Sequence, residues 1–168
     1  MAVREVLRLG DPRLYAQSEP VAPEELPGLV PVIADLHDTL LEFRARMDAG
    51  RAIAAPQIGV MKRLIYMHLP DRAVVFLNPK LDAWSAERMR VWDDCLCFPD
   101  LLVLVERARG CRVTYRDLEW REAREDLRDD LSELLQHEVD HLDGILAVSR
   151  AVGPRGFALR SERHHLSI

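Results

Sequence analysis

Residues 137–141 read His137-Glu138-Val139-Asp140-His141, two histidines four apart with a glutamate between them. On a helix, side chains at i and i+4 share one face. Two imidazoles one turn apart can reach a single divalent cation, and the intervening glutamate is the usual general base. The chemistry this spacing predicts is metal-assisted hydrolysis. The alternative is a solvated, charged helix with no chemistry. Leu127, Leu131, Leu134, Leu135, Val139 and Leu142 make the segment too apolar for that.

A metal held by two histidines needs a third protein ligand if one coordination position is to stay open for reaction. Asp93-Asp94-Cys95-Leu96-Cys97 offers two thiols and two carboxylates. Cys95 and Cys97 are both candidates, and the flanking acids are others. No second C-x-C pair exists to complete a structural zinc site, and Cys111 stands alone. An inert buried thiol is the ordinary alternative for any cysteine. Three cysteines are an odd number, which argues against a closed disulfide framework.

The histidine pair must ride on a helix, and the pattern predicts one over residues 126–144. Asp126, Asp129 and Asp130 stand near its start, where carboxylates suit the positive end of the dipole, and Gly144 is a C-terminal stop. With His137 at 0°, Glu138 falls at roughly 100°, inside the arc of roughly 60–140° that holds Leu134, Leu127, Leu131 and Leu142. Burial of that arc would raise the pKa of Glu138, which suits an acid/base residue. Glu133 and Asp130, at roughly −40° and 20°, share the face of His137.

A second helix is predicted over 31–47 from the stripe Ile33, Leu36, Leu40, Phe43 and Met47, with Pro31 in its first turn. It reads as a packing helix without chemistry, with His37 on its exposed side. Residues 1–28 read as loop, with a short strand over 3–9. Further strands are predicted over 63–69, 73–77, 81–85, 101–105 and 110–115. Pro70-Asp71, Asn78-Pro79 and residues 116–120 mark turns. Small residues at 50–55 allow a close backbone approach, and Gln57 offers both a donor and an acceptor. A tight helix-to-strand loop explains the same stretch without function.

At 168 residues this is one domain with a real core. The formal net charge of −5 argues against nucleic acid as a direct partner. No run of residues approaches a membrane span and no signal-peptide pattern opens the chain, so a cytoplasmic location is expected. Residues 153–168 form a short, partly basic tail, expected to be partly mobile.

Three separated segments resemble the peptide deformylases. GRAIAAPQ (50–57), DDCLC (93–97) and HEVDHLDG (137–144) are similar to that family's G-x-G-[aliphatic]-A-A-x-Q, E-G-C-[aliphatic]-S and H-E-[aliphatic]-D-H-L-x-G, in the same order. Residues 9–14, 76–79 and 105–107 extend the resemblance over about 5–148. It implies an α+β fold with antiparallel sheets wrapped around a central metal-binding helix. It implies Cys95, His137 and His141 as metal ligands, with water in the fourth position. The family's ion is usually Fe(II), with Zn, Ni or Co substituting. Glu138 would move the proton, and the Leu96 N–H and the Gln57 amide would stabilise the oxyanion. Gly50 and Ile53 would line a cleft that pairs an extended peptide in β fashion. The implied reaction releases formate from the N-terminal formyl-methionine of nascent polypeptides, and the tail could aid docking to the ribosome.

Four departures from the motifs stand out. Ala52 replaces the second glycine of the first. Asp93 and Asp94 replace the Glu-Gly of the second, and an aspartate tolerates a left-handed turn there better than most residues. Cys97 replaces its serine and could compete for the metal. Arg51 stands where an aliphatic residue lines the methionine pocket. With Asp130 and Glu133 it would make that pocket polar, or these charges would simply pair with one another. A polar pocket would favour another N-formyl substrate, a peptide with a polar first residue or a metabolite. Two further readings are a zincin-type protease, with Glu162 as third ligand and His164 and His165 nearby, and a non-catalytic metal-binding relative. Glu138 and Gln57 argue against the last.

Overall fold

The computed structural model describes residues 2–167. Two helices and eight strands form the frame. They run α1 (Leu26–Met47), β1 (Ala52–Ala54), β2 (Leu64–His68), β3 (Ala73–Asp82), β4 (Arg88–Asp94), β5 (Leu101–Ala108), β6 (Gly110–Arg116), β7 (Glu122–Arg128), α2 (Asp129–Leu142) and β8 (Phe157–Leu159). The larger sheet has the order β1-β2-β3-β6-β7 and the smaller β4-β5-β8. All pairings between these strands are antiparallel. α2 packs on β1, β3, β6 and β7 of the larger sheet and on β5 of the smaller, so the helix carrying both histidines lies between the sheets.

The apolar side chains of α2 hold it there. Leu134, Leu135 and Leu142 are buried against Ile65, Met67, Phe76 and Val113. Each such side chain contributes about 1.5–3 kcal/mol on full burial. Polar stitches fix the register: Gln136 accepts from the Ala108 N–H and donates to the Ala108 carbonyl, and the Ser132 hydroxyl donates to that same carbonyl. Gly144 ends the helix at φ +71°, and a Cβ there would stand 2.5 Å from the Tyr15 carbonyl oxygen. Only glycine fits.

The first helix starts earlier than its periodicity predicts, at Leu26, with Pro27 in the first turn and Pro31 inside it. Its inner face carries Leu36, Leu40 and Phe43 as expected. His37 is half-buried rather than exposed, its Nδ1 2.7 Å from the Tyr66 hydroxyl.

Four sequence expectations are corrected. Residues 3–9 form no strand, although the Leu7 N–H donates to Gln57 and the Leu9 N–H to Cys97. Asn78-Pro79 makes no turn: β3 runs through it with a register shift between Leu77 and Lys80, and Asn78 takes φ 50°. Asp126 belongs to β7, where Arg112 pairs with it at 2.7 Å, and α2 begins at Asp129, itself left-handed (φ 50°). Residues 52–54, read as loop, form β1, one of the two edge strands of the larger sheet. At the other end of the chain, β8 pairs with β5.

Candidate metal centre

β4 delivers Cys95 one residue past its end, and α2 delivers His137 and His141. The Cys95 Sγ lies 3.3 Å from His141 Nε2, which lies 3.1 Å from His137 Nε2. All three residues are buried. A thiol and two imidazole nitrogens converging on one point away from water are the donor set of an open catalytic metal site. Cys97 does not join this group. Its Sγ instead lies 3.6 Å from the Gln57 Nε2, which is also 3.7 Å from the Cys95 Sγ. The Gln57 Oε1 accepts the Ala54 N–H at 2.7 Å, which fixes the amide so that its NH2 faces the thiols.

His137 is oriented from behind. Its Nδ1 sits 2.9 Å from the Asp93 carboxylate, leaving Nε2 for the cation. Burial alone would lower the His137 pKa, but the Asp93 charge and hydrogen bond lift it to about 10. A cation competes with that proton for the imidazole. Burial pushes the Cys95 thiol well up, and a bound cation would offset that cost by pairing with the thiolate. His141 is driven the other way, chiefly by burial and then by the charge of His137.

Asp93 is itself held by Arg107, whose Nη2 donates to it at 3.1 Å. The Arg107 Nη1 donates to Asp140 at 2.5 Å, and Asp140 also takes two bonds from Arg150 at 2.6 Å. A chain of alternating charge thus runs from the buried His137 through Asp93, Arg107 and Asp140 to the exposed Arg150. Sequence reading gave Arg107 no role. The signal was there: β5 alternation turns Val103, Val105 and Arg107 to the same buried face.

Glu138 is 3% exposed, and its Oε2 has no hydrogen-bond partner. Burial raises its pKa to about 7, against the opposing pull of His137. A carboxyl poised near neutrality, with one oxygen unpartnered, can both take and give a proton.

A narrow cleft of about 40 Å³ opens over this group, lined by Gly50, Arg51, Ala52, Leu96, Glu133 and Glu138 among others. Gly50 takes φ +109°, and a Cβ there would press Leu40 and Phe43. Ile53 is fully buried in the core, so it can offer the cleft only its backbone. A larger cavity of about 620 Å³ lies along the far face of α2, beside Lys80, Trp84 and Asp140, and contains none of the three donors.

The departures from the family motifs resolve locally. Asp94 is not left-handed; it ends β4, and its carboxylate pairs with Arg160 at 2.6 Å. Arg51 bonds Glu133 at 2.8 Å and reaches the exposed Asp130 at 3.4 Å. Glu133 is buried, and burial raises its pKa. The charges therefore pair with one another at the wall of the cleft. Arg51→Leu alone is expected to destabilise by about 1–3 kcal/mol, because it leaves a buried carboxylate without its donor. Arg51→Leu/Glu133→Leu should recover most of that loss. Denaturant unfolding of the parent, both single variants and the double variant measures the coupling. Additive losses would mean that the pair contributes nothing.

Residues 3–155 match the family model described as polypeptide deformylase. The peptide deformylase of Erythrobacter litoralis is 32% identical, with 88% of this chain and 89% of that protein covered. The crystal structure of peptide deformylase from Thermotoga maritima superposes with a TM-score of 0.83 at 27% identity, covering 91% of this chain and all of that one. A Met-Ala-Ser-bound class I type b peptide deformylase from Acinetobacter baumannii gives a TM-score of 0.79 at 34% identity, covering 89% and 98%. These likenesses give no support to a zincin, a non-catalytic relative or a different N-formyl substrate. Glu162 accordingly groups with His164 and His165, not with His137 and His141.

Proposed function

Because the chain belongs to the polypeptide deformylase family, we propose that Cys95, His137 and His141 hold its divalent ion while Glu138, Gln57 and Leu96 serve the reacting amide. The reaction removes the N-formyl group from nascent peptides as formate. The observation that carries the assignment is the convergence of the Cys95 thiol and the two Nε2 atoms, within about one ion's reach, beside a buried carboxyl with an unpartnered oxygen.

β1 lies at the edge of its sheet, so an extended peptide can add to it as a further strand. Gly50, Arg51 and Ala52 flank the first residue, and the formyl carbonyl points at the donor cluster. A divalent ion there supplies Lewis-acid polarisation and a more acidic water. Glu138 accepts the proton of the attacking water and returns it to the departing amine nitrogen. The Gln57 Nε2 and the Leu96 N–H donate to the oxygen as negative charge builds on it. Asp93 keeps the His137 ring aimed, and Arg107 keeps Asp93 in place.

The resident ion is Fe(II) in this reading. Zn, Ni and Co suit the same mixed thiolate and imidazole donors. Free buried thiols suit the reducing cytoplasm, where the ribosome presents formylated chains. One catalytic domain carries the whole activity.

Cys95→Ser and Cys97→Ser separate the ligand from its neighbour. Purified without oxygen, the Cys95→Ser protein should hold almost no ion and release almost no formate from a formyl-Met-Ala peptide. The Cys97→Ser protein should keep its ion. Metal retained by Cys95→Ser and lost from Cys97→Ser would reverse the assignment.

A further inference from the structure

A second group of side chains able to ligate a metal lies outside the buried centre, on the 3-10 helix Arg160–His165. Glu162, His164 and His165 are all exposed, and a carboxylate oxygen and two imidazole nitrogens lie within 4.8 Å of one another. The helix geometry brings them together. Three residues per turn stack position i over i+3, and the Glu162 Oε2 stands 3.9 Å from the His165 Nε2. The ring centroids of His164 and His165 are 3.9 Å apart. The other Glu162 oxygen accepts the Ser161 hydroxyl at 3.1 Å, which restrains the carboxylate.

The helix that displays them is tied down at both ends. At its start, Arg160 donates to Asp94 and to the Pro99 carbonyl at 2.6 Å each, and its N–H donates to Asp100 at 2.8 Å. At its end, the Leu166 N–H returns to the Arg163 carbonyl, and the Trp92 indole donates to Ser167 at 3.3 Å. The three donors are therefore presented together on a fixed frame.

We propose that Glu162, His164 and His165 form a surface site for a divalent transition-metal ion, Zn²⁺ or Ni²⁺, separate from the buried centre. Ligand bonds of about 2.0–2.2 Å place donor atoms roughly 3–3.5 Å apart around one ion. The donors need to close by no more than about 1.3–1.8 Å, which exposed side chains do by small rotations. Two imidazoles with one carboxylate favour Zn²⁺, Ni²⁺ or Cu²⁺ over Mg²⁺ and Ca²⁺. Water fills the remaining positions, so this ion exchanges freely. The assignment does not depend on the deformylase reaction.

Equilibrium dialysis of the metal-loaded protein against Zn²⁺ tests it, with metal analysis of both compartments. The parent should bind one equivalent more than His164→Ala/His165→Ala, and both should release formate equally fast. Ni²⁺ supplies a second readout, because the Trp92 indole bonds Ser167, two residues past His165. Saturable quenching of tryptophan fluorescence should be lost in the double variant and in Trp92→Phe. Equal Zn²⁺ stoichiometry and affinity in parent and double variant would overturn the proposal, as would Ni²⁺ quenching unchanged by the histidine substitutions.

Discussion

Glu138→Gln is expected to slow formate release by roughly 10²- to 10⁴-fold, the range lost when a positioned acid/base group is removed. The substitution preserves volume in a buried site, so packing against its neighbours is kept. What changes is proton chemistry, since an amide cannot accept the proton of the attacking water or deliver one to the leaving amine. Its pKa of about 7, raised chiefly by burial, makes Glu138 suited to both transfers near neutral pH. The proposed ion ligands Cys95, His137 and His141 are untouched, so metal content should match the parent. The loss should fall on kcat with KM little changed, because the group acts in the transition state and not in ground-state binding. Steady-state kinetics on a formyl-Met-Ala peptide, with metal analysis of the same sample, decide the matter. Turnover within tenfold of the parent at full metal content would remove Glu138 from the proton path.

The histidine helix was legible because its information is local. An i, i+4 pair with a glutamate beside it and leucines on one arc is written within one stretch of chain. The third ligand was not legible in that way. Cys95 and Cys97 are both apolar, buried thiols two residues apart, and spacing does not choose between them. The fold makes the choice: Cys95, just past the end of β4, faces His141 at 3.3 Å, while Gln57 stands equally near both thiols. β7 was missed because Glu122-Ala123-Arg124-Glu125-Asp126-Leu127-Arg128 is nearly all polar. Its identity as a strand comes from pairing with β6, and Leu127 is its one buried side chain. Residues 78–79 misled for a related reason: an Asn-Pro pair usually ends a strand, yet here the Asn78 side chain makes two hydrogen bonds with the Val21 backbone that hold the bulge.

Arg107→Met is expected to give the largest loss of stability of any single substitution considered, about 3–5 kcal/mol, the range for removing one partner of a buried ion pair. Arg107 is 3% exposed and bonds Asp93, which is 4% exposed, and Asp140. Its methionine replacement fills most of the volume, so the cost is electrostatic. Asp140 keeps Arg150, but Asp93 is left with His137 alone. For a chain of this length that loss corresponds to a melting temperature lower by about 6–20 °C. The same change should weaken ion binding about 10- to 100-fold, because Asp93 is the group that aims His137. Melting in excess chelator isolates the first effect, and metal competition at low temperature isolates the second. Arg107→Lys keeps the charge but cannot fork to two carboxylates, so it should fall between parent and Arg107→Met in both measurements. A melting point for Arg107→Met within about 2 °C of the parent in chelator would show that the chain of charges aligns the site without stabilising the fold. An unchanged metal affinity would show the reverse, that Asp93 holds the His137 ring without help from the guanidinium behind it.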